Sequence, residues 1–203
     1  MTSAGPPDAI DPLRRRLVEL VRRAPALMTV LRVLQEQAVP DPLVFSGAVY
    51  QTVWNDLTGR PSSYGIKDYD VGYFDPDTSY DDEDRMIRRI GAALDEPLRS
   101  RVEVRNQARV HLWFPEKFGH PYAPLTSTAE ALERFVCPAF AVGVRLDDDG
   151  EVAVAAPFGL ADTFDMRLRM NPLRGRPSDW SRVVAAALAR WPELTVEDPV
   201  DDA

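Results

Sequence analysis

Cysteine is nearly absent: Cys137 stands alone among 203 residues. One thiol cannot close an internal disulfide, and the cysteine-rich structural zinc sites need more than one, so a cytosolic (cytoplasmic) setting is the expectation. Histidine is scarce as well, with only His111 and His120. The chain has no apolar run near the roughly 18 residues of a membrane-spanning helix. Its opening, MTSAGPPDAIDPLRRR, has no apolar stretch of the kind a secretory leader needs. Basic charge falls short of acidic: 24 Lys and Arg face 32 Asp and Glu, for a formal net charge of −8. That balance argues against a broad phosphate-neutralising surface, and so against nucleic acid as partner, while leaving room for a local basic patch. There is no full Walker lysine motif and no G-x-S-x-G, so P-loop and serine-hydrolase readings have no support. The acidic stretch from Asp75 is not a calcium loop, because Tyr80 and Met86 stand where an EF-hand needs Gly and Glu.

What is present is ordinary for a globular chain: 45% apolar and 28% charged residues. The expected organisation is a disordered segment at 1–10, one domain at 11–197 and an acidic tail at 198–203. Asp11-Pro12 reads as an N-cap and first helical residue, opening a helical hairpin with a second helix after Pro25. Residues 43–45 read as a short strand and 48–57 as a helix. A strand follows around 68–74, then a helix over about 81–94 with an acidic first turn. Residues 101–106 alternate as a strand, and 110–114 read as another extended piece. Ser127 with Glu130 reads as a capping box. Segments 139–146 and 151–155 read as a hairpin around Asp147–Gly150, and 178–189 as the last helix. The mixed order predicts an α+β fold, a mixed sheet flanked by helices.

The stretch SSYGIKDYDVGYFDPD, residues 62–77, poses a physical problem. Asp68 and Asp70 are two apart, and in a strand such residues share a face. Their carboxylates repel unless a divalent cation joins them. Upstream, a strand ends in Ser46-Gly47 and opens a helix. A small residue and a glycine let backbone N–H groups approach a phosphate, and the helix points its positive end at it. Together these suit a nucleoside triphosphate (NTP) held with Mg²⁺ or Mn²⁺.

These residues resemble the signature of the DNA polymerase beta-like nucleotidyltransferase superfamily, in which a glycine turn precedes a D-x-D strand. The sequence is most similar to a family of small bacterial nucleotidyltransferase-like proteins. The shared positions are Gly47, Val53-Trp54-Asn55, Leu57, Gly59, Asp68-Tyr69-Asp70-Val71 and Tyr73-Phe74-Asp75. The likeness continues through NQARVHLW at 106–113, APFGLAD at 156–162, Asn171-Pro172 and Trp191-Pro192. It covers about residues 26 to 197.

The resemblance implies a Mg²⁺-dependent, ATP- or other NTP-binding transferase. It would move a nucleoside monophosphate to a hydroxyl on a small-molecule or protein acceptor. Asp68 and Asp70 would hold metal, with Glu103 as third carboxylate or base and Asp75 as the alternative. Ser46 and Gly47 would cradle the phosphates, and Arg105, Asn106 and Arg109 would contact nucleotide or acceptor. The family's Arg-Asn pair after the glycine is here Tyr50-Gln51, so Arg105 or Arg109 would supply the missing cation. That substitution also motivates the alternative of a catalytically inactive nucleotide-binding or regulatory module. The acceptor, the preferred NTP and the oligomeric state stay open.

Overall fold

The computed structural model describes residues 11–119, 121–174 and 180–197. The expected disordered start, the acidic tail, His120 and the first residues of the last helix lie outside them. Asp11 accepts a hydrogen bond from Leu13 N at 3.0 Å and opens α1 (Pro12–Arg22). Proline also opens α2 (Pro25–Glu36), where no N–H is needed. Then come β1 (Leu43–Phe45), α3 (Gly47–Leu57), β2 (Tyr69–Tyr73), α4 (Tyr80–Ala92) and β3 (Val102–Asn106). The chain continues through α5 (Val110–Phe118), β4 (Gly143–Leu146), β5 (Val152–Ala155), α6 (Ala161–Phe164), β6 (Arg167–Arg169), α7 (Trp180–Leu188) and β7 (Thr195–Glu197). This is a mixed α+β fold, with a central sheet flanked by helices that include the N-terminal pair. No described helix is long and apolar enough to cross a membrane.

The sheet order is β3-β2-β1-β4-β5, with β2 and β3 parallel and the other pairs antiparallel. Register makes two rows. Val104, Val71, Val44, Val144 and Val154 align across all five strands. The first four are buried in the core that α1, α2, α3 and α4 complete. The adjacent row, Glu103, Asp70, Phe45, Gly143 and Ala155, lies on the other face by strand alternation. There Leu43 and Phe45 pack with Leu132 and Ala141 in a smaller apolar cluster. The sheet therefore has one face committed to the core and one only partly covered.

Gly72 of β2 marks how closely that second face is packed. A Cβ there would lie 2.5 Å from the Phe45 ring and 2.9 Å from Thr128 Cγ2. Gly72→Ala should cost about 1–3 kcal/mol by overpacking. A chemical-denaturation midpoint unchanged from wild type would show that the ring moves aside freely.

Three buried asparagines anchor the loops. Asn55 donates to Ser62 O and Tyr64 O, and accepts from Trp191 Nε1 at 3.1 Å. Asn106 accepts from the N–H groups of Asp75 and Ala108 and donates to Asp75 O and Asp77 O. Asn171 donates to Glu133 O and Phe135 O and accepts from Leu173 N. Each amide supplies the donors and acceptors that a buried turn would otherwise lack.

Residues 110–114 are helical, not extended. Their aromatic and β-branched character favours strand, but the Asn106 side chain turns the chain at the end of β3. A 3₁₀ turn at Gln107–Arg109 then leads directly into α5. Left-handed Gly119 ends that helix, its N–H bonded to Pro115 O. The expected capping box forms in part: Ser127 Oγ accepts from Glu130 N at 3.4 Å, but the Glu130 carboxylate reaches Thr126, at N (2.6 Å) and Oγ1 (2.8 Å), and the segment is only a 3₁₀ helix, Ala129–Arg134.

Candidate active site

The register of β2 brings two carboxylates together: Asp70 lies directly beside Glu103 of β3, with Phe45 of β1 on its other side. Asp68 is one residue ahead of the strand and exposed, whereas Asp70 is half-buried. Burial pushes the Asp70 carboxyl up to about 6, and the charges of Asp68 and Glu103 add to the rise, while the Ser46 hydroxyl offsets part of it. A bound cation would reverse both causes, since it replaces lost hydration and cancels like charge.

The approach to Asp68 is held from several directions. Besides the Asn55 anchor, the Arg101 guanidinium donates to the carbonyls of Ile66 and Lys67. Arg190, after α7, donates to Gly65 O at 3.2 Å. Across from this segment Ser46 sits at φ 62°, ψ −139°, a backbone conformation close to one that glycine favours. No side chain caps α3, so its first N–H groups remain open to an anion.

Two cavities flank the carboxylates, each of about 430 Å³. The first is lined by Ser46, Gly47, Gln51, Lys67, Asp68 and Arg190. Gln51 is only 6% exposed, and its Oε1 has no hydrogen-bond partner. Glycines flank its amide: a Cβ on Gly47 would come within 2.8 Å of Gln51 Nε2, and one on Gly65 within 2.8 Å of the Trp191 ring. An orphaned acceptor beside an uncapped helix end, with two cations in the same wall, fits a polar anionic ligand. The second cavity has Asp70, Glu103, Phe45 and Arg105 on the sheet side and Trp113, Phe114 and Phe135 opposite.

A family model described as Nucleotidyltransferase matches residues 32–196. The chain belongs to this nucleotidyltransferase family. An NMR structure described as revealing "a CCA-adding enzyme head domain" is similar over 91% of this chain and 95% of its own length, with a TM-score of 0.72 at 24% identity. At that identity the likeness shows the fold. A crystal structure of a tRNA nucleotidyltransferase complexed with a primer tRNA and an incoming ATP analog is similar at 14% identity over 83% of this chain and 46% of its own length, with a TM-score of 0.46. No curated protein matches the chain.

In this nucleotidyltransferase-family chain the expected site residues separate into two groups. Asp68, Asp70, Glu103, Ser46, Gly47 and Arg105 line the two cavities. Asn106 and Arg109 do not. Asn106 is fully buried with its amide engaged by backbone. Arg109 pairs with the buried Glu83. Asp75 caps its own turn, accepting from Asp77 N at 2.9 Å. The expected set of three metal-binding carboxylates is not assembled: among the described residues no group of three or more His, Cys, Asp and Glu could hold a metal ion. Asp68 and Asp70 still offer hard oxygen donors of the kind Mg²⁺ uses, one or two carboxylates acting with substrate phosphates.

The sequence gives no role to Lys67 and Arg190 in the first cavity or to Trp113, Arg134 and Arg174 around the second. Lys67 adjoins Asp68, a signal that was available. Arg190 precedes the Trp191-Pro192 pair but lies 125 residues from its partner Gly65, beyond any local pattern. Asp162, which reads as a helix cap, instead pairs with Arg167 and Arg169.

Proposed function

We propose that this protein transfers a nucleoside monophosphate from an NTP to a hydroxyl group and releases pyrophosphate. The observation that carries the reading is the first cavity, where Asp68 meets the uncapped start of α3 and two cations, Lys67 and Arg190. Among the described residues neither cation forms an ion pair.

In this reading Lys67, Arg190 and the first N–H groups of α3 bind the β- and γ-phosphates. Gln51 Oε1 accepts a hydrogen bond from a ligand hydroxyl or a water. Asp68 and Asp70 would hold Mg²⁺ or Mn²⁺, which when bound neutralises phosphate charge and polarises the reacting oxygens. The acceptor oxygen attacks the α-phosphorus, the bond to the α,β-bridging oxygen breaks, and pyrophosphate leaves toward Lys67. Glu103, exposed beside Asp70, takes the hydroxyl proton. The net charge of −8 favours a small-molecule or protein acceptor over a long nucleic acid, and the lone Cys137 fits a cytoplasmic setting.

Calorimetric titration of Mg-ATP and the other Mg-NTPs tests this reading. The wild type should bind at least one of them, and Lys67→Ala should weaken that binding about tenfold or more. A wild type that binds none of them would defeat the reading and favour a module that has lost its nucleotide.

A further inference from the structure

We infer that the second cavity is the acceptor site, and that it takes a small molecule with a flat apolar body, an anionic group and a hydroxyl. The inference rests on the transferase reading and extends it to the second substrate.

In-line displacement puts attacking and leaving oxygens on opposite sides of the phosphorus. With pyrophosphate leaving toward Lys67 and α3, the attacker arrives over Asp70 and Glu103, both of which line the second cavity. The hydroxyl oxygen forms the new bond to phosphorus, its proton passes to Glu103, and pyrophosphate carries away the bonding pair.

The volume of about 430 Å³ lies in the range of small-molecule sites. The walls define the chemistry. Phe45 and Phe135 meet edge to face at 5.6 Å, and Trp113 and Phe114 of α5 close the other side. Flat rings of this kind stack on a flat apolar ligand. Around them stand Arg105, Arg134 and Arg174, none of which forms an ion pair among the described residues. Arg105 and Arg174 donate to backbone, Arg105 Nη1 to Val104 O at 2.9 Å and Arg174 Nη1 to Arg134 O at 2.5 Å, and the Arg134 guanidinium lies 6.0 Å from the Tyr122 ring centroid. Three cations outside any ion pair outnumber the two carboxylates of the same cavity, Asp70 and Glu103, which makes an anionic ligand the complementary one.

The test uses two fluorescent probes on the full chain: anionic 8-anilinonaphthalene-1-sulfonate and neutral N-phenyl-1-naphthylamine. The anion should bind saturably at one site, and a saturating Mg-ATP concentration should leave that binding in place. Arg174→Gln and Arg134→Gln should each weaken the anion several-fold and leave the neutral probe unchanged, whereas Trp113→Ala should weaken both. Anion binding indifferent to both arginine changes would overturn the inference. So would displacement of the probe by Mg-ATP, which would make the cavity a nucleotide subsite and leave the transferase reading standing. Probe binding as described in a protein that binds no Mg-NTP would uphold the ligand class and overturn the acceptor role, since the transferase reading would then have failed by itself.

Discussion

Asp70→Asn is expected to reduce nucleotidyl transfer at least a hundredfold and, without metal, to raise the melting temperature at pH 8. The first effect follows from removing a metal-facing charge, given that losing even an outer-shell partner of a metal site costs about 10–100-fold. The second follows from the raised carboxyl, about 6 against an ordinary 3.8. The folded state holds the Asp70 proton more tightly than the unfolded state does. Stability therefore falls as pH climbs from about 4 to about 6, and the full penalty is present above that. At roughly 1.4 kcal/mol per pH unit, discounted for partial exposure, the penalty is on the order of 1–2 kcal/mol. Asparagine keeps the shape and removes the charge. Calorimetric melting at pH 8 and pH 4 checks this: the gain should be present at pH 8 and gone near pH 4. Transfer at the wild-type rate in the variant would end the proposed mechanism. An equal melting temperature at both pH values would mean that Asp70 is well hydrated.

The largest loss of stability is expected at Glu83, which has no contact with either cavity. This residue of α4 is 8% exposed. One carboxylate oxygen accepts from Asn106 N at 2.9 Å and the other pairs with Arg109. Glu83→Ala leaves a buried guanidinium without its counter-charge and the end of β3 without its acceptor. Breaking such a pair from one side costs about 3–5 kcal/mol. For a chain of this size that lowers the melting temperature by roughly 6–20 °C. Replacing both partners with apolar residues, Glu83→Leu with Arg109→Met, should recover part of the loss, because neither charge then remains buried alone. Urea unfolding of the two variants measures both effects, and a loss under 1 kcal/mol in the alanine variant would show that water reaches Arg109.

These two carboxylates show what the sequence could reveal. Asp70 was legible because repulsion between close carboxylates is visible in D-x-D itself, and Ser46-Gly47 because small residues punctuate a strand-to-helix turn. The sheet was legible where alternation was clean: Val102 and Val104 on one side, Glu103 and Arg105 on the other. Its pairing was not, since the placement of β2 between β1 and β3 depends on contacts across the chain. α5 was misread because its aromatic and β-branched residues favour strand, and the deciding Asn106 turn lies outside the run. The structural ties of Asn106 and Arg109 were hidden for a related reason. A polar residue near a site looks the same in sequence whether it faces ligand or ties down a loop, and only the partners, the Asp75 backbone and the buried Glu83, show the ties. The aromatic and arginine walls of the second cavity come from β1, β3, α5 and two later loops, so no local window contains them.

The anchoring of the Gly59–Asp68 segment through Asn55, Trp191 and Arg190 bears on the order in which a nascent chain can mature. All five strands of the main sheet lie before residue 156, so the sheet can pair while the remainder is still being synthesised. Arg190 and Trp191, which brace that segment, follow β5 in the chain and are made after it. The strand that carries Asp70 thus precedes, in order of synthesis, the residue that closes the first cavity beside Asp68. A ribosome-bound intermediate that stops short of Arg190 would carry the sheet without a finished first cavity, and ligand binding there would begin only once Arg190 and Trp191 dock.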